Sequence, residues 1–97
     1  MHTTIRYYEG VTDTGEVVRQ IKEGFLDVVR GVRGFVNYSV IDAGGGTLIT
    51  ISTFEDQSGA EESSSRAAEW IQQQNLGSLI PNQPQVKAGE VAVHESS

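Results

Sequence analysis

FVNYSVIDAGGGTLITISTF, residues 35–54, is the stretch on which the fold of this chain turns. Two alternating runs rich in β-branched and aromatic residues, Phe35–Ile41 and Leu48–Phe54, flank Asp42-Ala43-Gly44-Gly45-Gly46. A glycine run can cradle a phosphate or bend a chain. The phosphate loops need Gly-x-x-x-x-Gly-Lys-Ser/Thr or Gly-x-Gly-x-x-Gly opening a helix, whose aligned amides hold the anion. Here no lysine is near, Asp42 would repel phosphate, and the strand-like TLITIST follows. The run therefore reads as a hairpin bend whose glycines take positive φ. Its length sets the register of the two strands.

Working outward toward the N-terminus, Asp13 precedes Glu16 at capping-box spacing. Val17, Val18, Ile21, Phe25, Val28 and Val29 then recur at helical steps, and Gly31 and Gly34 close the helix. Gly24, in its middle, costs about 1 kcal/mol against alanine and points to a close contact there. Thr3–Tyr8 alternates as a first strand. Toward the C-terminus, Asp56 or Ser58 caps a second helix with an apolar or small face of Ala60, Ser64, Ala67, Trp70 and Ile71. NLGSLIPNQP ends that helix, with Leu76, Leu79 and Ile80 folding back, and Val86–Val93 reads as a last strand. The order predicts one α+β domain over residues 1–97: a ferredoxin-like split βαββαβ with a four-stranded antiparallel sheet and both helices on one face.

Alternation then assigns the two sheet faces. Val36, Tyr38 and Val40, with Ile49, Ile51 and Thr53, are expected under the helices. Phe35, Asn37, Ser39 and Ile41, with Leu48, Thr50, Ser52 and Phe54, are expected on the open face. That second set has apolar ends, a polar middle and no charge, which suggests a covered, partly polar cavity rather than a solvated surface.

Composition narrows the function classes. Thirteen acidic against seven basic side chains give a formal charge of −6, which disfavours nucleic acid and anionic membrane surfaces. The longest apolar runs are far too short to span a bilayer, and MHTTIRYYEG lacks the pattern of a secretory signal. With no cysteine, disulfides and thiolate chemistry are excluded. A cytoplasmic location is the expectation. His2 and His94 sit near the two ends without placed carboxylates, so no metal site is expected.

Residues 31–72, GVRGFVNYSVIDAGGGTLITISTFEDQSGAEESSSRAAEWIQ, resemble the dimeric α/β-barrel superfamily, particularly its antibiotic-biosynthesis-monooxygenase-like small domains. The resemblance lies in the Gly34-Phe35 helix exit, the hairpin, the Phe54-Glu55-Asp56 strand end and the Ala67-Ala68-Glu69-Trp70 helix. It implies a homodimer pairing two sheets face to face through their open faces, a cavity for a small molecule, and in some members cofactor-independent oxygenation of aromatic polyketides. Haem-degrading members pair an early-strand Asn with a Trp and a following His. Here Arg6 and Tyr7 occupy that strand and Gln72–Gln74 follow Trp70, so no cofactor is expected.

The candidate ligand-binding residues are Arg6, Tyr8, Asn37, Ser39, Thr50, Ser52 and Trp70. Arg6 and Tyr8 share a strand face, where they either hold an acidic or phenolic oxygen or form an edge salt bridge beside a packed aromatic. Asn37, Ser39, Thr50 and Ser52 either line a cavity or satisfy one another across strands. Trp70 is a packing anchor or a ligand wall. The serines at 63–65 lack a nucleophile elbow and an ordered histidine, so a hydrolase triad is not supported. Two functions remain in view: a cofactor-independent monooxygenase-like enzyme acting on a small aromatic or polyketide-type compound, and a non-catalytic ligand-binding or structural homodimer.

Overall fold

Asp13 starts the first helix by accepting a hydrogen bond from the Glu16 N–H at 3.1 Å, as the spacing predicts. In the computed structural model, which describes residues 1–96, β1 (His2–Tyr8) leads into this helix over 14–30. The helix consists of α1 (Thr14–Gln20), a π-helical turn (Ile21–Phe25) and α2 (Leu26–Arg30). β2 (Phe35–Gly44) and β3 (Thr47–Phe54) form the hairpin, and α3 (Gln57–Gln73) follows with Asp56 as its cap, accepting from the Gly59 N–H at 3.1 Å. A 3-10 turn (Leu76–Ser78) and β4 (Gln85–Glu90) complete the chain. β4 is shorter than its apolar pattern suggests. The Val91 N–H bonds to the Met1 carbonyl at 2.9 Å, and residues 91–93 lie beyond the strand.

The sheet order is β2-β3-β1-β4, all antiparallel, with the helices on one face. This is the expected ferredoxin-like arrangement. Val17, Phe25 and Val29 from the first helical segment, with Ala60 and Trp70 of α3, close over Leu48 and Phe54 to make the core.

The hairpin departs from simple alternation, and the departure reassigns the sheet faces. Gly44 pairs with Thr47 across a turn at Gly45 and Gly46, and all three glycines have positive φ. Continued without interruption, that pairing would set Ile41 opposite Thr50 and Ser39 opposite Ser52. Instead Ala43 is an extra residue, a β-bulge, and Asp42 pairs with Leu48. One extra residue turns every side chain beyond it to the other face. Tyr38 therefore lies opposite Ser52 and Val40 opposite Thr50, under the helices, while Asn37, Ser39 and Ile41 lie opposite Thr53, Ile51 and Ile49. A second bulge at Val36 restores Phe35 to the helix side, where its ring meets Phe54 edge-on at 5.9 Å.

The expected face assignment is thus reversed along the whole of Leu48–Phe54 and at Phe35 and Val36. Leu48, Thr50, Ser52 and Phe54 are buried under the helices; Ile49, Ile51 and Thr53 are on the open face. Phe35 is inside and Val36, at 40% exposure, is outside. The open face is consequently apolar through its middle, with Tyr7, Ile49 and Ile41 in one row and Ile5, Ile51 and Ser39 in the next.

If Ala43 is the extra residue, deleting it leaves Asp42 opposite Leu48 and every later pair unchanged. The deletion variant is expected to fold with the Val40–Thr50 and Tyr38–Ser52 cross-strand contacts intact by NMR. A variant that loses those contacts would contradict the assignment.

Candidate ligand site beneath the helices

β1 is an interior strand, so the side chains of Arg6 and Tyr8 project from the middle of the sheet toward the helices rather than from an edge. Val40, Thr50, Arg6 and Val86 form one row across all four strands, with Tyr38, Ser52, Thr4 and Ala88 in the next. Four polar residues, Thr4, Arg6, Thr50 and Ser52, are therefore buried on a face that ordinarily holds the driest part of a core.

Arg6 is only 6% exposed. Its guanidinium donates to Ser64 Oγ on α3, and Ser64 in turn donates to the Ala60 carbonyl at 3.1 Å. That donation uses the serine proton and leaves its lone pairs to the arginine. Among the described residues no carboxylate lies within ion-pair distance of Arg6, so the edge salt bridge considered from the sequence does not form. Beside Arg6, Ser52 is 1% exposed and its hydroxyl has no hydrogen-bond partner among the described residues.

Aromatic rings wall this polar centre. Phe25 stands edge-on to Tyr38 at 5.6 Å and tilted against Trp70 at 5.3 Å. Gly24, in the π-helical turn, allows the approach: a Cβ there would come within 3.2 Å of Trp70 Nε1. The close contact inferred from that mid-helix glycine is present. Burial raises the Tyr8 hydroxyl above its ordinary pKa, and the Arg6 charge only partly offsets this. Tyr38 is raised more strongly, again by burial first and then by Tyr8. Both stay protonated at neutral pH and can donate hydrogen bonds.

Three spaces meet at Tyr8 and Ala67. Two interior ones, of about 30 Å3 and 20 Å3, have room for little more than a water each. The third, a cleft of about 340 Å3 between α3 and the β1–β4 pair, is floored by Arg6, Tyr8 and Ser64. Its walls are Ala67, Ala68, Ile71, Pro84 and Val86. Among the described residues no histidine or carboxylate lines any of the three.

The structure brings Arg6, Tyr8, Thr50, Ser52 and Trp70 to this side of the sheet, and it places Asn37 and Ser39, both exposed, on the other. Sequence reasoning passed over Tyr38, Phe25 and Ser64 as site residues. Tyr38 carried a usable signal, because it was expected under the helices and is the only aromatic between Phe35 and Phe54. Ser64 carried none, since its role depends on where β1 lies beneath α3.

No family model and no curated protein matches the sequence. Solved structures do share its fold. A protein of unknown function from Nitrosomonas europaea superposes with a TM-score of 0.79 at 13% identity, covering 99% of this chain and 93% of that one. A monooxygenase from Streptomyces coelicolor, in complex with nanaomycin D, gives 0.70 at 17% identity over 98% and 92%. SnoaB, a cofactor-independent oxygenase from Streptomyces nogalater, gives 0.64 at 10% identity over 98% and 94%. The fold is also shared with solved structures described as antibiotic biosynthesis monooxygenases, as the resemblance over residues 31–72 implies.

The raised tyrosines set an alkaline dependence. A folded state that holds phenol protons above the ordinary value of 10.0 keeps its full contribution below that pH. It loses that contribution as pH rises further, because the unfolded chain releases those protons first. The urea midpoint should therefore fall above about pH 10, with phenolate absorbance from Tyr8 and Tyr38 developing alongside unfolding. A midpoint that is flat through this range would contradict the burial argument.

Proposed function

We propose that this protein binds a small, mostly aromatic molecule at the Arg6–Tyr8 cleft and acts on it as a cofactor-independent monooxygenase-like enzyme, working as a homodimer paired through the open sheet face. The observation that carries the reading is the buried Arg6, with no carboxylate partner among the described residues, at the floor of an apolar cleft. In a site of low polarity a fixed cation stabilises a developing phenolate or enolate far better than water does. Tyr8 and Tyr38, held protonated, add donors without competing for the substrate proton. With no base lining the cleft, the substrate itself must ionise readily. Electron-rich polyphenols and quinols meet that condition. The fold shared with a cofactor-independent oxygenase supports this reading.

The missing base also favours a second reading, in which the ligand is carried or sensed without reaction. Oxygen uptake with purified protein across a panel of quinols and polyphenols separates the two. Consumption with at least one member is expected, and Arg6→Met should lower it by about 100-fold or more. Ligand binding with no uptake across the panel would leave the carrier reading and overturn the oxygenase.

The dimer is supported by Ile5, Tyr7, Ile49 and Ile51, which no helix covers, and by Ile41, 42% exposed. These side chains are partly exposed, and a face that pairs with its own copy removes their remaining apolar area from water twice, once from each protomer. Sedimentation at micromolar concentration should report a dimer, and a monomer would overturn the assembly.

A further inference from the structure

We infer that the ligand of the cleft carries one anionic oxygen on an apolar body, the oxygen received by the Arg6 guanidinium with the Ser52 hydroxyl beside it. The inference deepens the proposed function and rests on its reading of the cleft as the ligand site. A guanidinium has five N–H donors, and the hydrogen bond to Ser64 uses one side of that fork. Burying such a cation is unfavourable unless charge and hydrogen bonds compensate.

The chain has thirteen carboxylate side chains, and several of its other arginines hold them: Arg19 pairs with Glu16 and Glu23, Arg30 with Asp27, Arg66 with Glu62. At Arg6, the most deeply buried of the charged residues described, none is supplied. Ser52 adds a second, independent signal. Its hydroxyl is fully enclosed, has no hydrogen-bond partner among the described residues, and lines not the cleft itself but the interior space of about 20 Å3 that Arg6 and Tyr8 share with it. A half-used guanidinium at the cleft floor matches an oxyanion, and one whose oxygen passes from the cleft into the space beyond Arg6 would accept from Ser52 as well.

The rest of the cleft fixes the other half of the ligand. Apart from the floor, its walls are Ala67, Ala68, Ile71, Pro84 and Val86, which offer no donor or acceptor side chain. A volume of about 340 Å3 falls at the small end of ligand pockets. One charge at one end and a ring-sized apolar remainder is the composition that fits. A phenolate and a carboxylate share this chemistry.

Three probes of nearly equal shape separate the possibilities: para-nitrophenol, para-nitrobenzoate and para-nitroanisole, the last unable to ionise. Wild-type protein is expected to bind at least one of the two anions ten-fold or more tightly than the ether, by Trp70 fluorescence or calorimetry. If the phenolate is the form received, the bound dye should ionise about 1–3 units below the free dye, read directly from its absorbance. Preference for the benzoate alone assigns the carboxylate. Arg6→Met should abolish the preference and Arg6→Lys should keep part of it. Ser52→Ala, a smaller change, should weaken anion binding without affecting the ether. If Arg6→Met does not fold, the wild-type comparison and Ser52→Ala carry the test. Equal binding of all three probes would overturn the inference and leave the cleft as a ligand site. Binding of none would overturn the cleft reading itself.

Discussion

A single extra residue in the β2–β3 hairpin, Ala43, decides which side chains of β2 join Arg6, Thr50 and Ser52 beneath the helices. The pleat has a period of two, so the bulge acts as a switch for the whole hairpin. With Ala43 left unpaired, Tyr38 and Val40 turn toward the helices opposite Ser52 and Thr50, which share their face with Arg6, and Ser39 and Ile41 turn outward. Were Ala43 instead paired in line with Gly44 and Thr47, Ser39 and Ile41 would take those inward places and Tyr38 would leave the aromatic wall. The glycines that follow serve the same end. Asp42 Oδ1 accepts from the Gly44 N–H at 3.0 Å, and the Gly46 carbonyl accepts from Val11 at 2.9 Å. These bonds fix the turn against the loop after β1.

The result is a domain that sets polar side chains within its core and leaves apolar ones uncovered. The face under the helices carries Thr4, Arg6, Thr50 and Ser52, and the uncovered face carries isoleucines. Each polar residue in the core forgoes apolar burial in a chain already short for a stable core. Local choices that weaken a fold mark the places where function overrides stability. The helices accommodate them with care. The π-helical turn brings Gly24 against the Trp70 indole and Phe25 between Trp70 and Tyr38, so the aromatic wall closes tightly around the polar row.

Much of this was legible in the chain. Element order, both helix caps, the positive-φ glycines and the close contact at Gly24 all follow from local chemistry acting over a few residues. The pairing of Arg6 with Tyr8 on one face of β1 also follows, because alternation within a single strand is short-range. The face assignment of β3 failed for a physical reason. It depends on the register between strands, and register depends on whether the turn region contributes an even or odd number of unpaired residues. Ala43 looks like any other turn residue in sequence. The same dependence separated Asn37 and Ser39 from Thr50 and Ser52. Ser64, as the acceptor for Arg6, was beyond reach because contacts between α3 and β1 arise only from packing.

The role proposed for the buried Arg6 is to meet an oxyanion. The most direct test is a crystal structure of the protein grown with para-nitrobenzoate or para-nitrophenolate. The ligand is expected in the cleft between α3 and the β1–β4 pair, its oxygen within hydrogen-bond reach of the Arg6 guanidinium and its ring against Ile71 and Val86. Ligand found only on the open sheet face, or an Arg6 side chain satisfied by a carboxylate of a second copy, would contradict it.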